Sequence, residues 1–238
     1  MKTLEVGNIN IEIVSKDIKN IHLAVYPPHG RVRLAMPKGV DEEVIKLFAI
    51  SKLGWIRKQQ RKFVEQDRQT SRKYIDRESH CFQGKRYLLR LIEQEGRPRV
   101  EITTKTYIDL HVHRNSTIDE RDELLSMWYR KQLKEQIPAI LDKWQSKMGV
   151  EVNSWMVKQM KTKWGTCNIE AKRILLNLEL AKKPEKCLEY IIVHELAHLF
   201  ERKHNDRFLG IMNSFMPQWR SYRDELNRLP VSHVNWEY

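Results

Sequence analysis

Two histidines four residues apart flank a glutamate in His194-Glu195-Leu196-Ala197-His198. On a helix that spacing turns both imidazoles to one face, with their β-carbons about 6 Å apart. The separation suits one tetrahedral ion. Zinc takes imidazole nitrogen readily, and a catalytic site needs three protein ligands so that the fourth position stays open for water. His204, six residues beyond His198, is the candidate third ligand. Glu195 stands beside these groups, where its carboxylate can take a proton from a metal-activated water and pass it to a leaving amine. A closed structural site would have no use for a base there.

The surrounding pattern must bring these residues together. Leu188, Ile191, Ile192 and Leu199 form the buried stripe of an amphipathic helix after Pro184. His204 reaches the ion only if that helix ends soon after His198, and the polar run Glu201 to Asp206 allows the turn, with Asn205 or Asp206 capping the next helix. Further helices are predicted over 206–215 and 218–229. Upstream, Trp155 to Met160 and Arg173 to Leu180 read as a hairpin around Trp164, Gly165 and Thr166. Arg173 to Leu180 is the candidate edge strand for holding an extended substrate. Thr117 and Glu120 have capping-box spacing, and Leu124, Leu125, Trp128, Leu133 and Ile137 continue a helix until Pro138 bends or restarts it.

With the HELAH motif, the downstream His204-Asn205-Asp206-Arg207-Phe208 and the upstream Lys163-Trp164-Gly165-Thr166-Cys167 in view, the chain resembles the YgjP-like metallopeptidase family and, more distantly, the SprT-type zinc proteases. The specific likeness covers about residues 150–220. It implies zinc on His194, His198 and His204 with Glu195 catalytic. Thr166 stands where the family has Ser, and Leu209 where a second aromatic is common.

The first forty residues alternate as strands through Ile9, Ile11 and Ile13, then Ile21, Leu23 and Val25, then Val32, Leu34 and Met36. Asp41 then caps a helix running to about Arg68, with Gly54 a weak point. Three more strands are predicted at Lys85 to Ile92, Arg99 to Ile102 and Tyr107 to Val112. No internal repeat is legible. The fold class this implies is α+β: a β-rich N-terminal module over 1–115 and a zincin-like catalytic domain over 116–238, its motif helix packed on a short antiparallel sheet.

The net charge of +12 is concentrated between Lys52 and Lys73, where eight Lys/Arg face only Glu65 and Asp67. That run is either a solvated helix face or a nucleic-acid contact. Three cysteines at irregular spacing fit free thiols in a reducing compartment. No segment has the roughly 18 apolar residues of a membrane span. Without a signal-type apolar run at the N-terminus, a cytoplasmic place with no membrane partner is expected. Cys167 reads as a packed turn residue, and Met212 and Met216 as core beside Phe208 and Phe215. Tyr190, Tyr222 and neighbouring Lys and Arg residues are open candidates for stabilising an oxyanion.

The favoured function is zinc-dependent hydrolysis of peptide bonds in a protein or peptide substrate. Two alternatives stand beside it: a nucleic-acid-binding protein or DNA-recruited protease using residues 52–73, and a zinc amidohydrolase acting on a small substrate.

Overall fold

The computed structural model describes residues 2–26, 30–65, 72–160 and 163–229. The chain forms two compact units, one up to residue 68 and one over 69–233.

In the first unit, strands β1 (Lys2–Val6), β2 (Ile9–Lys16), β3 (His22–Tyr26) and β4 (Arg31–Pro37) make a sheet in the order β1-β2-β4-β3. The outer pairs are antiparallel and the central pair, β2 with β4, is parallel. Alternation along β2 and β4 sends Ile11, Ile13, Val32 and Leu34 to one face. Ile45 and Ala49 of α1 (Glu42–Ser51) and Ile56 of α2 (Leu53–Glu65) cover that face. Asp41 caps α1 by accepting the Glu43 N–H. The single helix expected here is broken at Lys52, where the backbone leaves helical geometry just before Gly54. Arg57, Lys58 and Arg61 are exposed on α2. Residues 66–71 of the basic run lie outside the described residues.

The second unit opens on another four-stranded sheet, β5 (Ser79–Phe82), β6 (Lys85–Glu93), β7 (Arg99–Ile102) and β8 (Tyr107–Val112), in the order β5-β6-β8-β7. Its outer pairs are again antiparallel and its central pair again parallel. The arrangement of the first unit therefore occurs twice, each time followed by helix. Leu34 precedes the cap Asp41 by seven positions, as Leu110 precedes the cap Thr117. Trp55-Ile56-Arg57-Lys58-Gln59 is matched by Trp128-Tyr129-Arg130-Lys131-Gln132, with Ile56 and Tyr129 both buried. The repeat escapes sequence reading because the two cores share few residue types: Ile9, Ile11 and Ile13 stand in one β strand where Tyr87, Leu89 and Leu91 stand in the other.

Helix α3 (Ile118–Met148) runs unbroken through Pro138. Ile137, Ile140, Leu141 and Trp144 bury its apolar side on both sides of the proline, and that packing holds the helix across the missing N–H. The capping box between Thr117 and Glu120 is present. Sheet β5–β8 shares one core with α3 and the helices that follow, so the boundary expected near residue 115 falls inside this unit, between β8 and α3.

A three-stranded sheet follows, with β11 (Arg173–Asn177) between β10 (Gly165–Asn168) and β9 (Ser154–Lys158). β10 and β11 are antiparallel, whereas β9 and β11 are parallel. The expected hairpin of β9 with β11 is thus replaced by β10 with β11. The Trp164–Thr166 stretch leads into a strand, and the reversal comes at Ile169–Lys172, where Asn168 accepts the Ala171 N–H and Lys172 takes a positive φ of 45°. The strand expected to reach Leu180 ends at Asn177, which caps a 3-10 turn over Leu178–Lys182. Gln83 and Gly84, in the β5–β6 turn, donate to Ala181 and Lys182 of that 3-10 turn. A side chain at Gly84 would meet Pro184 Cγ at 2.6 Å, so glycine permits the close approach that sets the start of α4 (Glu185–Ala197). Helices α5 (Asp206–Phe215) and α6 (Trp219–Arg228) complete the unit. Among the described residues no helix is long and apolar enough to cross a membrane.

Candidate metal centre

Helix α4 is apolar on most sides because it runs through the core: Leu188, Ile191, Ile192, Val193, Leu196 and Ala197 are all buried. Its last turn carries His194 and Glu195, and His198 closes it as the C-cap residue. The chain turns over Leu199–Lys203 and returns with His204, after which Asn205 caps α5 by accepting the Phe208 N–H. This reversal brings His204 Nε2 to 3.1 Å from Nε2 of both His194 and His198. Ligand atoms of the three residues lie within 4.8 Å of one another.

Nitrogens bound at about 2.0–2.1 Å to a tetrahedral ion stand about 3.3–3.4 Å apart, so the observed spacing fits one ion. His198 Nδ1 lies 3.0 Å from the Glu201 carbonyl, which fixes its proton on Nδ1 and leaves Nε2 a free lone pair. Burial, reinforced by the neighbouring His198 and His204, pulls the His194 pKa down to about 3, and burial also lowers that of His198. Both rings are therefore neutral at pH 7, the form that coordinates a metal.

Phe208, almost wholly buried, packs its ring against all three imidazoles, with centroids 5.0, 4.8 and 4.7 Å from those of His194, His198 and His204. The sequence marks Phe208 as the aromatic of the downstream motif and as a neighbour of the core methionines, without giving it a part in holding the imidazoles. The structure makes it the platform on which the three rings lean. The imidazoles cannot drift apart without opening a gap over that ring.

Glu195 is 96% buried, its relative exposure being 4%. Burial pushes its pKa up to about 8, with the Lys163 cation acting the other way. Its Oε2 and His194 Nδ1 are buried without a hydrogen-bond partner among the described residues. Gly165 lies directly against the carboxylate, with room for no side chain. That contact explains the Trp164–Cys167 stretch: it forms the wall behind Glu195. Trp164 is held beneath the Lys183 ammonium, 5.4 Å from its ring centroid. The Trp164 carbonyl accepts from Asn177 N. Burial and the nearby Glu195 charge raise the Cys167 thiol to about 11, so it stays protonated and is a packed wall residue.

Asn177, 4% exposed, was not singled out in the sequence. Its side-chain amide donates to the Met160 and Lys163 carbonyls and accepts from the Met160 and Glu179 N–H groups. One side chain thereby ties the end of β11 to the approach to β10. A glycine within a short strand is the sequence signal that could have found Gly165, whereas Asn177 has none.

These residues open onto a cleft of about 1010 Å³. β10 lines one wall with Gly165, Thr166, Cys167 and Asn168. Because β11 is the central strand of its sheet, the free edge facing the cleft belongs to β10 and not, as the sequence suggested, to Arg173–Leu180. Tyr190 also lines the cleft, its ring edge-on to His194 and stacked on Trp219. Met212 and Met216 are buried core residues.

The YgjP-like metallopeptidase domain matches residues 19–229 of the chain. No curated protein matches it. Among solved structures, the metallopeptidase zymogen of Pyrococcus abyssi abylysin is 20% identical, with 40% of this chain and 99% of that chain covered at a TM-score of 0.36. The metallopeptidase zymogen of Methanocaldococcus jannaschii jannalysin is 22% identical, with 38% and 92% covered at a TM-score of 0.34.

Proposed function

The chain belongs to the YgjP-like metallopeptidase family, and from that premise we propose that it hydrolyses peptide bonds with a zinc ion held by His194, His198 and His204. The observation that carries the reading is the convergence of three imidazoles on one point beside a buried carboxylate. When bound, the ion supplies Lewis acidity toward water and a peptide carbonyl.

The protein's own residues do the rest. Glu195 accepts a proton from the attacking water at its carboxylate and delivers it to the departing amine nitrogen, a transfer suited to a group whose pKa burial has brought near neutrality. Gly165 bounds that carboxylate at close contact. The free edge of β10 offers main-chain hydrogen bonds to an extended substrate. An open cleft bounded by a strand edge suits a polypeptide better than a small amide, which favours the peptidase over the amidohydrolase reading. Of the two tyrosines considered for an oxyanion, Tyr190 lines the cleft with its ring edge-on to His194, and Tyr222 does not line it.

The test is zinc per chain by elemental analysis together with cleavage of a denatured protein. Near one equivalent in the wild type, a sharp loss in His204→Ala, and abolished cleavage with zinc retained in Glu195→Gln are expected. Full activity in Glu195→Gln, or unchanged zinc in His204→Ala, would sink the assignment.

A further inference from the structure

Among the described residues, four cations that hydrolysis itself does not use line the cleft: Lys163, Arg173, Arg202 and Arg223. They come from separate segments, namely the approach to β10, the start of β11, the turn after α4, and α6. Among the described residues, Glu170 is the one exposed carboxylate that lines the cleft with them, since Glu195 is buried. Arg223 is paired with Asp224 at 2.9 Å. Lys163, Arg173 and Arg202 have no carboxylate at ion-pair distance among the described residues, although acidic side chains elsewhere in this unit pair readily with Lys and Arg.

A concave surface lined by one sign of charge concentrates its field inside the cleft and draws in the opposite charge. Guanidinium groups are weakly hydrated and fork toward carboxylates, so their desolvation against a bound acid costs less than that of ammonium groups. The placement adds register. Gly165 stands at Glu195, while Arg173 is the register partner of Asn168 at the other end of β10. Three residues of strand, about 10 Å, separate the two ends. Arg202 is two residues before His204 and lines the same cleft as the three imidazoles.

We propose that the substrates are acidic peptides, with Arg173 receiving a carboxylate about three residues from the bond cleaved and Arg202 receiving one close beside that bond. This rests on the peptidase reading above and names the substrate class for the same site. Lys163 adds charge near Glu195, and the Arg223–Asp224 pair contributes less because it is already neutralised.

The experiment uses two fluorescent octapeptides that differ only in carrying Glu or Gln around a central apolar residue. Their binding to the metal-loaded Glu195→Gln protein is read by anisotropy at low and moderate salt. The Glu peptide should bind about tenfold more tightly at low salt, with the advantage shrinking as salt rises. Arg173→Gln and Arg202→Gln, each added to Glu195→Gln, should each remove part of the advantage and together reduce it to about twofold or less. Both arginines are exposed, so the variants should fold. Lys134→Gln, on α3 outside the cleft, should leave the preference intact. Equal binding of the two peptides overturns the proposal, as does a preference that survives the double arginine change. Wild-type cleavage of the same peptides separates the two readings: both cleaved and equally bound rejects only the acidic preference, whereas selective binding without cleavage rejects only the peptidase.

Discussion

A Cβ built on Gly165 would lie 2.5 Å from Oε1 of Glu195, inside any real contact distance. The close approach of the pair thus limits where the carboxylate can sit. Gly165 is also part of the strand edge facing the cleft, so in the proposed mechanism one residue bears on both the substrate backbone and the general base.

Gly165→Ala should therefore displace the Glu195 carboxylate while leaving the histidines untouched. Zinc content is expected to stay at the wild-type level while kcat falls about a hundredfold, since misplacing a catalytic group by about an ångström costs that much. Elemental analysis and steady-state kinetics on one preparation check both halves. Loss of zinc in this variant would show that the contact supports the imidazoles as well.

Metal removal should lower stability, because a ligand held only by the folded chain stabilises it by mass action. Chelation of the wild type should lower Tm by several degrees, and added zinc should restore it. His204→Ala should show a much smaller response. Differential scanning fluorimetry across a zinc titration makes the measurement, and equal shifts in both proteins would place the stabilising ion elsewhere.

Asn177→Ala leaves the Met160 and Lys163 carbonyls without their amide donors in a buried setting. A loss of about 2–3 kcal/mol in urea unfolding is expected for the removal of buried hydrogen bonds. Because the freed segment leads into β10, KM for extended substrates should rise as well. Stability lost with KM unchanged would confine Asn177 to the fold.

His80 is 3% exposed, and burial first, then the Arg72 cation, lowers its pKa to about 4, against the pull of Glu78. The unfolded chain takes up this proton near the ordinary value of 6.5, before the folded chain does. The stability that neutral His80 preserves is present above about pH 6.5 and lost as pH falls through about 4. Metal-free protein should accordingly lose up to about 3 kcal/mol from this group between those limits. His80→Leu should flatten the fall of Tm over that window. Parallel curves for the two proteins would exclude His80 as its source.

The exposed Arg57, Lys58 and Arg61 of α2 remain the candidate nucleic-acid contact. Binding to duplex DNA is expected to weaken steeply with salt and to be lost when these residues and Lys62 are neutralised. Affinity unaffected by those changes would remove α2 from that interaction.

The motif residues were legible because their chemistry is local: one helical turn sets His194 against His198, and a polar run marks where the chain must turn to bring back His204. Strands with clean alternation were legible for the same reason, and Arg99–Ile102 and Tyr107–Val112 stand where that alternation put them. The short strands β1, β5 and β10 were not, and in β5 and β10 cysteine, histidine and glycine stand where a branched apolar residue would mark a period. Their pairing partners decide them. Phe208, Gly165 and Asn177 act through contacts with residues as far as 14, 30 and 17 positions away in the chain, which a single sequence does not display.

A chain that builds one strand arrangement twice carries two sets of mutually compatible edges while it folds. β2 must choose β4 over β8, and β6 must choose β8 over β4, although each choice offers a parallel neighbour of similar length. The divergence that hides the repeat from sequence reading works against such cross-pairing. A strand of isoleucines and a strand bearing Tyr87, Leu89 and Leu91 need cores of different shape, so a cross-paired sheet would close over voids and overlaps at once. Misassembly between similar modules is a characteristic hazard of repeated architectures. In this chain, unlikeness of side chains protects likeness of backbone.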